Sequence, residues 1–284
     1  MQYLLIPGIL IVSFLLWMML EVRCLKVEQL DLPGNVRLNG VLLSDLHIRK
    51  LRVRHKRLCR ALGNSSPDAV VFAGDFIDRV SDIPRVLPLI HELIQAGRKA
   101  NPRCRFFACF GNHDLEAHMD PGGAIRAEAL DGFARQLQDA GIRMLINTSE
   151  TVADPNGKLA VFTGFDELRY GRTDIPKALS SLEGRAYAYR IGFGHNPDIC
   201  LHLPEGSFHL FLCGHFHGGQ IWAPFRFEFF RLRNEKLCKQ GIYRGLHRIR
   251  KTDVYISRGI GNVLVPLRLG SLPEMTVFRI GAKP

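Results

Sequence analysis

A chain of 284 residues, 46% of them hydrophobic, is long enough to bury a sizeable core as one large domain or two small ones, and this balance excludes a disordered polymer. The net charge of +11 is concentrated: seven basic residues and no acid lie between Arg49 and Arg60, and ten basic residues face three acidic ones between Arg226 and Arg258. Such patches point to an anionic partner, a lipid headgroup or a substrate, with a solvated helix face as the plain alternative.

From Tyr3 to Leu20 no charged residue occurs. A helix of that length, at about 1.5 Å per residue, nearly crosses a hydrocarbon core of about 30 Å, so residues 1–22 are expected to form one transmembrane anchor. A signal peptide is the competing reading, but no Lys or Arg precedes the run and no small-x-small site follows it; a buried core helix is the third. The first basic residues, Arg23 and Lys26, come after the run, which by the positive-inside bias places the remainder of the chain on the cytoplasmic face of the inner membrane. Seven cysteines without a C-x-x-C pair suit thiols kept reduced, in agreement with that placement.

Residues 23–35 read as a juxtamembrane linker and 36–284 as the catalytic domain. Val36 to Leu43 is a predicted strand running into Ser44-Asp45-Leu46-His47, and Leu51, His55, Leu58 and Leu62 then recur at helical spacing, with Gly63-Asn64 as a stop. The order repeats: strand Ala69 to Ala73, loop Gly74-Asp75-Phe76-Ile77-Asp78-Arg79, and a helix from Ile83 to Gln95 ended by Gly97. It repeats again with strand Arg105 to Phe110, loop Gly111-Asn112-His113-Asp114, and a helix around Ile125 to Ala140. This alternation predicts a largely parallel sheet with helices on its faces. From Ile142 onward, short apolar runs separated by Gly, Pro and Asp predict a strand-rich second half, packed as a second sheet in the same domain.

Each loop ends an apolar run, where α/β folds put their chemistry. Asp, His and Asn bring lone pairs of carboxylate, imidazole and amide type, the donors that first-row divalent ions accept. An isolated Asp-x-His is more often a turn than a ligand pair, but here Asp45-x-His47, Gly74-Asp75-x-x-Asp78, Gly111-Asn112-His113-Asp114, Gly194-His195-Asn196-Pro197 and Gly214-His215-x-His217 occur in one chain. Asp114 is expected to support its loop, Asp78 has a helix cap as its alternative role, Asp166 has no partner motif, and Cys213 reads as core packing. The remaining histidines lack ligand spacing.

In that order the five motifs closely resemble the calcineurin-like metallophosphoesterase superfamily. Gly218-Gly219-Gln220-Ile221, Gly241-Ile242-Tyr243, Ser257-Arg258-Gly259-Ile260-Gly261 and Pro273-Glu274-Met275 resemble its membrane-associated bacterial branch. The resemblance implies an α/β fold, a two-sheet α/β/β/α sandwich, and two divalent metal ions, most often manganese, with iron or zinc as alternatives. It implies that Asp45, His47 and His217 hold one ion, Asn112, His195 and His215 the other, and that Asp75 bridges them. It further implies His113 as the catalytic histidine, paired with Asp78, and Arg79 as a phosphate ligand. The activity implied is hydrolysis of a phosphodiester or diphosphate. The predicted anchor and basic patches favour an amphiphilic, membrane-held substrate, and the branch offers UDP-2,3-diacylglucosamine, of lipid A assembly, as a candidate. Alternatives are a nuclease or phosphodiesterase for soluble nucleotides, and a non-catalytic metal-bound scaffold. Phe225 to Arg233 interleaves aromatics with arginines, as expected of a lipid-facing strip or of a half-buried strand.

Overall fold

The structure is a computed structural model that describes residues 2–184, 186–221 and 233–281. Two six-stranded mixed sheets carry the fold. In the first, β1 (Lys26–Leu32), β2 (Leu38–Leu43), β3 (Ala69–Ala73), β4 (Arg105–Cys109), the two-residue β5 (Arg143–Met144) and the late strand Glu274–Ile280 are arranged with Glu274–Ile280 between β1 and β2. From β2 through β5 the strands run parallel, as the alternating pattern predicts. The second sheet holds β6 (Thr148–Ala153), β7 (Leu159–Gly164), β8 (Tyr189–Phe193), β9 (Leu210–Cys213), β10 (Gly245–Ile249) and β11 (Thr252–Ile256), in the order β10-β11-β9-β8-β7-β6; Glu274–Ile280 is then β12.

Both faces of the first sheet are apolar because side chains alternate along a strand. Val41, Leu43, Val70, Phe72, Phe106 and Ala108 meet the helices, which are α2 (His55–Ser65), α3 (Ile83–Ala100) and α5 (Ala127–Ala140), after the short α4 (Asn112–Ala117). Their neighbours in sequence, Leu42, Val71, Phe107 and Cys109, point the other way and pack on Phe162, Ile191, Phe193, Leu210 and Leu212 of the second sheet. The outer face of that sheet carries Phe211, Cys213 and Val254 against Ile199, Leu203 and Leu237, under α6 (Ile175–Ser180) and α7 (Lys236–Lys239). Helices, sheet, sheet and helices form the expected sandwich, and the C-terminal ends of β2, β3, β4, β8 and β9 open into the five motif loops.

Three expectations need correction. The predicted linker, residues 23–35, contains β1, which pairs with β12 through seven residues. Val27, Gln29 and Asp31 lie exposed on one face of the strand, and Lys26 and Glu28 precede the buried Leu30 and Leu32 on the other, so no apolar run marks it. Helix α3 does not stop at Gly97 but continues to Ala100; a Cβ on Gly97 would come within 2.7 Å of the Phe106 ring, so this glycine allows close helix-on-sheet approach and does not end the helix. The apolar N-terminal run does form a helix, α1 (Gln2–Glu21), yet among the described residues no helix is long and apolar enough to cross a membrane. Most of the strip Phe225–Arg233 lies outside the described residues; Arg233 sits 5.5 Å from the centre of the Phe216 ring.

Candidate metal centre

The first loop leaves β2 and at once bends into a left-handed backbone at Asp45 (φ 54°) and again at His47 (φ 38°). Asp75 (57°), His215 (76°) and His217 (50°) do the same in their own loops. Five of the seven predicted metal ligands thus hold a conformation that costs a non-glycine residue on the order of 1 kcal/mol or more. Loop-to-loop hydrogen bonds hold them there. Asp45 N–H donates to Gly74 O at 3.0 Å and His47 N–H to Asp75 O at 2.9 Å, so the first two motifs are laced together. Buried Asp114 accepts from the N–H groups of Asp75, Phe76, Ile77 and Gly111, locking the second motif to the third. Burial, with Asp75 nearby, raises the Asp114 carboxyl to about 7. Its expected supporting role is what the structure shows.

The functional side chains converge inside these loops. His195 Nε2 lies 3.1 Å from Asp75 Oδ2, His47 Nε2 lies 3.4 Å from the same oxygen, and His217 Nε2 lies 3.3 Å from Asp45 Oδ1. Ligand atoms of Asp45, His47 and His217 lie within 4.8 Å of one another, and so do those of Asp45, Asp75 and His195. His215 joins the second group with Nδ1 3.0 Å from His195 Nε2. Asn112 is next to His113, whose N–H donates to Asp75 Oδ1 at 2.9 Å, and its own Oδ1 is buried without a hydrogen-bond partner.

The chemistry of the donor set fits a pair of cations. His195 Nδ1 faces the Ala73 carbonyl at 2.8 Å and must donate to it, which leaves Nε2 as a lone pair. His215 Nε2 faces Glu235 Oε1 at 2.7 Å, which leaves its Nδ1 as a lone pair. Those two lone pairs and the Asp75 carboxylate point at one buried space with no donor between them, an arrangement that repels itself unless positive charge enters. On the other side, His47 Nδ1 faces Asp78 Oδ1 at 3.1 Å, and its Nε2 is buried without a hydrogen-bond partner. The electrostatics agree. Burial disfavours the imidazolium of His195 and of His47, but Asp75, with Asp78 for His47, outweighs it and raises them to about 10 and about 9. Without a cation the carboxylates draw protons in its place.

Around this centre the predicted chemical residues are placed unequally. His113 is partly exposed, with Nδ1 3.6 Å from Asp78 Oδ1 and equally far from Glu116 Oε2. Asp78 also faces Lys50 Nζ at 3.1 Å; burial opposes its charge, yet His47 and Lys50 lower it to about 2. Asp78 is therefore engaged with the histidines rather than with a helix N-terminus. Arg79 is the exception: it is exposed, and its guanidinium makes no hydrogen bond or ion pair among the described residues. Its backbone N–H instead donates to Asp82, which also holds Arg49. Asp166 is likewise structural, accepting from the N–H groups of Glu167 and Arg172.

Sequence reasoning missed Glu235, Lys50 and Arg268. Glu235 is held at the start of α7 because Asp198 accepts from the N–H groups of Lys236 and Leu237; the acid after Gly-His-Asn-Pro was the available signal. Fully buried Arg268 donates to the carbonyls of Arg258, Gly259, Gly261 and Ser271 and to Asn262 Oδ1. It thereby fixes the stretch whose Gly261 N–H donates to Asp45 O at 2.7 Å.

A two-sheet sandwich whose strand ends gather carboxylates, imidazoles and an amide around Asp75 is the frame of a metallophosphoesterase-type hydrolase. The family model described as calcineurin-like phosphoesterase matches residues 41–219, more than half of the chain, and the chain belongs to that family. It is 30% identical over 261 residues to an uncharacterized metallophosphoesterase, YkoQ, of Bacillus subtilis (92% of this chain, 90% of the relative). It is 29% identical over 221 residues to the phosphodiesterase YaeI of Escherichia coli (78% and 73%), and 26% identical over 315 residues to the UDP-2,3-diacylglucosamine pyrophosphatase LpxG of Chlamydia muridarum (93% and 92%).

Proposed function

We propose that this protein is a binuclear metal-dependent hydrolase of a phosphodiester or diphosphate bond in an amphiphilic substrate at a membrane face. The observation that carries the reaction is the convergence of the His195, His215 and Asp75 lone pairs on one buried space, beside the Asp45, His47 and His217 group, whose His47 Nε2 lies 3.4 Å from the same Asp75 oxygen. Asp45, His47 and His217 would hold one ion, Asn112, His195 and His215 the other, with Asp75 between them. Bound divalent ions, manganese in this reading, supply Lewis acidity toward phosphoryl oxygens and a water acidic enough to attack phosphorus at neutral pH.

The chain's own groups supply the rest. His113, exposed at the rim and facing Asp78, is placed to give a proton to the departing oxygen, and Asp78 keeps its ring oriented. His47 and Lys50 together keep Asp78 ionised. Arg79, free of partners among the described residues, is available to a phosphoryl oxygen when substrate arrives.

An apolar rim supports the amphiphilic substrate. Leu264 and Val265 are 87% and 46% exposed on a loop tied to Gln220, whose side chain bonds Val263 and Val265, three residues beyond His217. The same loop meets the end of α1, where Gly270 N–H donates to Glu21. The likeness to a UDP-2,3-diacylglucosamine pyrophosphatase makes that diphosphate the substrate to test first. Seven free cysteines support a reducing, cytoplasmic-face location.

The test is release of UMP from UDP-2,3-diacylglucosamine in mixed micelles by purified protein with Mn²⁺, wild type against His113→Ala, alongside bis(p-nitrophenyl) phosphate. Consumption of the soluble ester alone would replace the lipid reading by the phosphodiesterase one. Consumption of neither would leave a metal-bound scaffold.

A further inference from the structure

Away from the metal centre, a groove of about 1190 Å³ opens at the foot of α1, between the helix end, the loop into α2, and the exposed sides of β1 and β12. Arg23, Arg52, Arg54, Lys56, Arg60 and Arg279 line it, and no Asp or Glu is among its described lining residues. Part of this charge is already engaged. Arg52 donates to the carbonyls of Arg49 and Leu51, and Arg279 lies 3.9 Å from Asp31. Arg57, also on the wall, donates to Leu25 O. The side chains of Arg23, Arg54, Lys56 and Arg60 make no hydrogen bond or ion pair among the described residues. Like charges gathered in a concave surface repel one another and focus a positive potential outward, which an anion relieves.

The helix above the groove indicates which anion. Ile9, Leu10, Ile11 and Val12 are each more than half exposed. Four consecutive residues at about 100° apart face every direction around the axis, so no side of α1 is packed on the domain there. Phe14 and Trp17 continue the exposure at 50% and 58%, and Leu20 is both the last exposed apolar residue of the helix and part of the groove wall. Apolar surface therefore gives way to clustered cations within one turn. That sequence of environments is the one met on leaving the hydrocarbon of a bilayer for its anionic headgroups.

We infer that the groove at the foot of α1 is a binding seat for anionic phospholipid headgroups of the bilayer that receives α1. The inference rests on the membrane-face reading above and not on which bond the metal centre cleaves. The seat is separate from the substrate site, formed by α2 and the β1 edge rather than by the motif loops. It fixes how the domain stands on the surface.

The experiment is flotation of the full chain with vesicles of phosphatidylcholine, alone or doped with phosphatidylglycerol, wild type against Arg54→Gln/Lys56→Gln/Arg60→Gln. The wild type is expected to bind the anionic vesicles at least about ten-fold more tightly, with the preference fading in salt and lost in the triple variant. Binding to phosphatidylcholine alone, through α1, and hydrolysis of bis(p-nitrophenyl) phosphate are expected to be equal in both proteins. The single exposed change Arg54→Glu carries the same comparison should the triple variant not fold. An unchanged preference in the variants overturns the inference, as does abolition of the preference by inorganic phosphate, which would make the groove a site for a free anion. A wild type that shows the preference but hydrolyses nothing would fault the enzymatic reading and leave the headgroup seat standing.

Discussion

The His113 backbone N–H donates to Asp75 Oδ1 at 2.9 Å, yet the two side chains are placed differently. Asp75 is buried with one carboxylate oxygen 3.4 Å from His47 Nε2 and 3.1 Å from His195 Nε2, whereas the His113 ring is partly exposed. Replacing Asp75 by Ala is expected to abolish binding of both metal ions, measured by elemental analysis after gel filtration. His113→Ala is expected to keep them and lose about 10²- to 10⁴-fold in turnover, the usual worth of a positioned proton donor. Loss of metal in both variants would refute that division. The protonation of the centre gives a second prediction. His47 and His195 are raised to about 9 and about 10 in the metal-free protein, so the stability they lend is fully present below about pH 6.5 and is lost as pH rises through those values. A cation takes the place of those protons, so metal binding strengthens over the same range. Melting curves should therefore show the metal-free protein losing stability from about pH 6.5 to 10 while the Mn²⁺-loaded protein does not, the gap widening with pH. Parallel curves would contradict it.

At the scale of loops and strands, the metal motifs depend on elements that carry no ligand. Gly259 (φ 64°) packs so that a Cβ would lie 2.7 Å from the Asp45 Cβ. Gly259→Ala is thus expected to push Asp45 out of register and to lower metal affinity at least ten-fold, with the far-ultraviolet circular dichroism unchanged. The short α7 acts similarly through Glu235, which orients His215; loss of such an outer partner typically costs ten- to a hundred-fold in metal affinity, and Glu235→Ala should fall in that range by chelator competition. These same places show what a sequence can and cannot disclose. Strands β2, β3 and β4 were readable because burial on both faces demands continuous apolar runs. Strands β1 and β10 were not, since edge strands with one wetted side read as polar linker. The five motifs stood out because each follows directly on an apolar strand, and folding brings their carboxylate and imidazole groups together. Glu235, Lys50 and Arg268 reach the site from unrelated positions, and only folding brings them there.

For the whole molecule, the correction to the N-terminal region separates two kinds of segment. Of the α1 side chains described, only Met18 is buried, so the helix contributes little to the core. The next stretch is different: Leu25 lies in the core between sheet and helices, and Leu30 and Leu32 lie between the two sheets, while β1 covers the edge of β12 along its full length. Burying three leucines stabilises by roughly 5–9 kcal/mol at about 1.5–3 kcal/mol each, comparable with the whole net stability of a typical domain, about 5–15 kcal/mol. Removal of residues 1–21 is therefore expected to leave a folded protein with wild-type turnover of bis(p-nitrophenyl) phosphate and greatly reduced flotation with vesicles. Removal of residues 1–35, a natural cut if that stretch were a linker, should strip the sheet edge and give a protein that aggregates or fails to melt cooperatively. Calorimetry of the two truncations decides the matter. A cooperative transition in the shorter chain would show that β1 is dispensable, and collapse of the longer one would show that α1 belongs to the core after all.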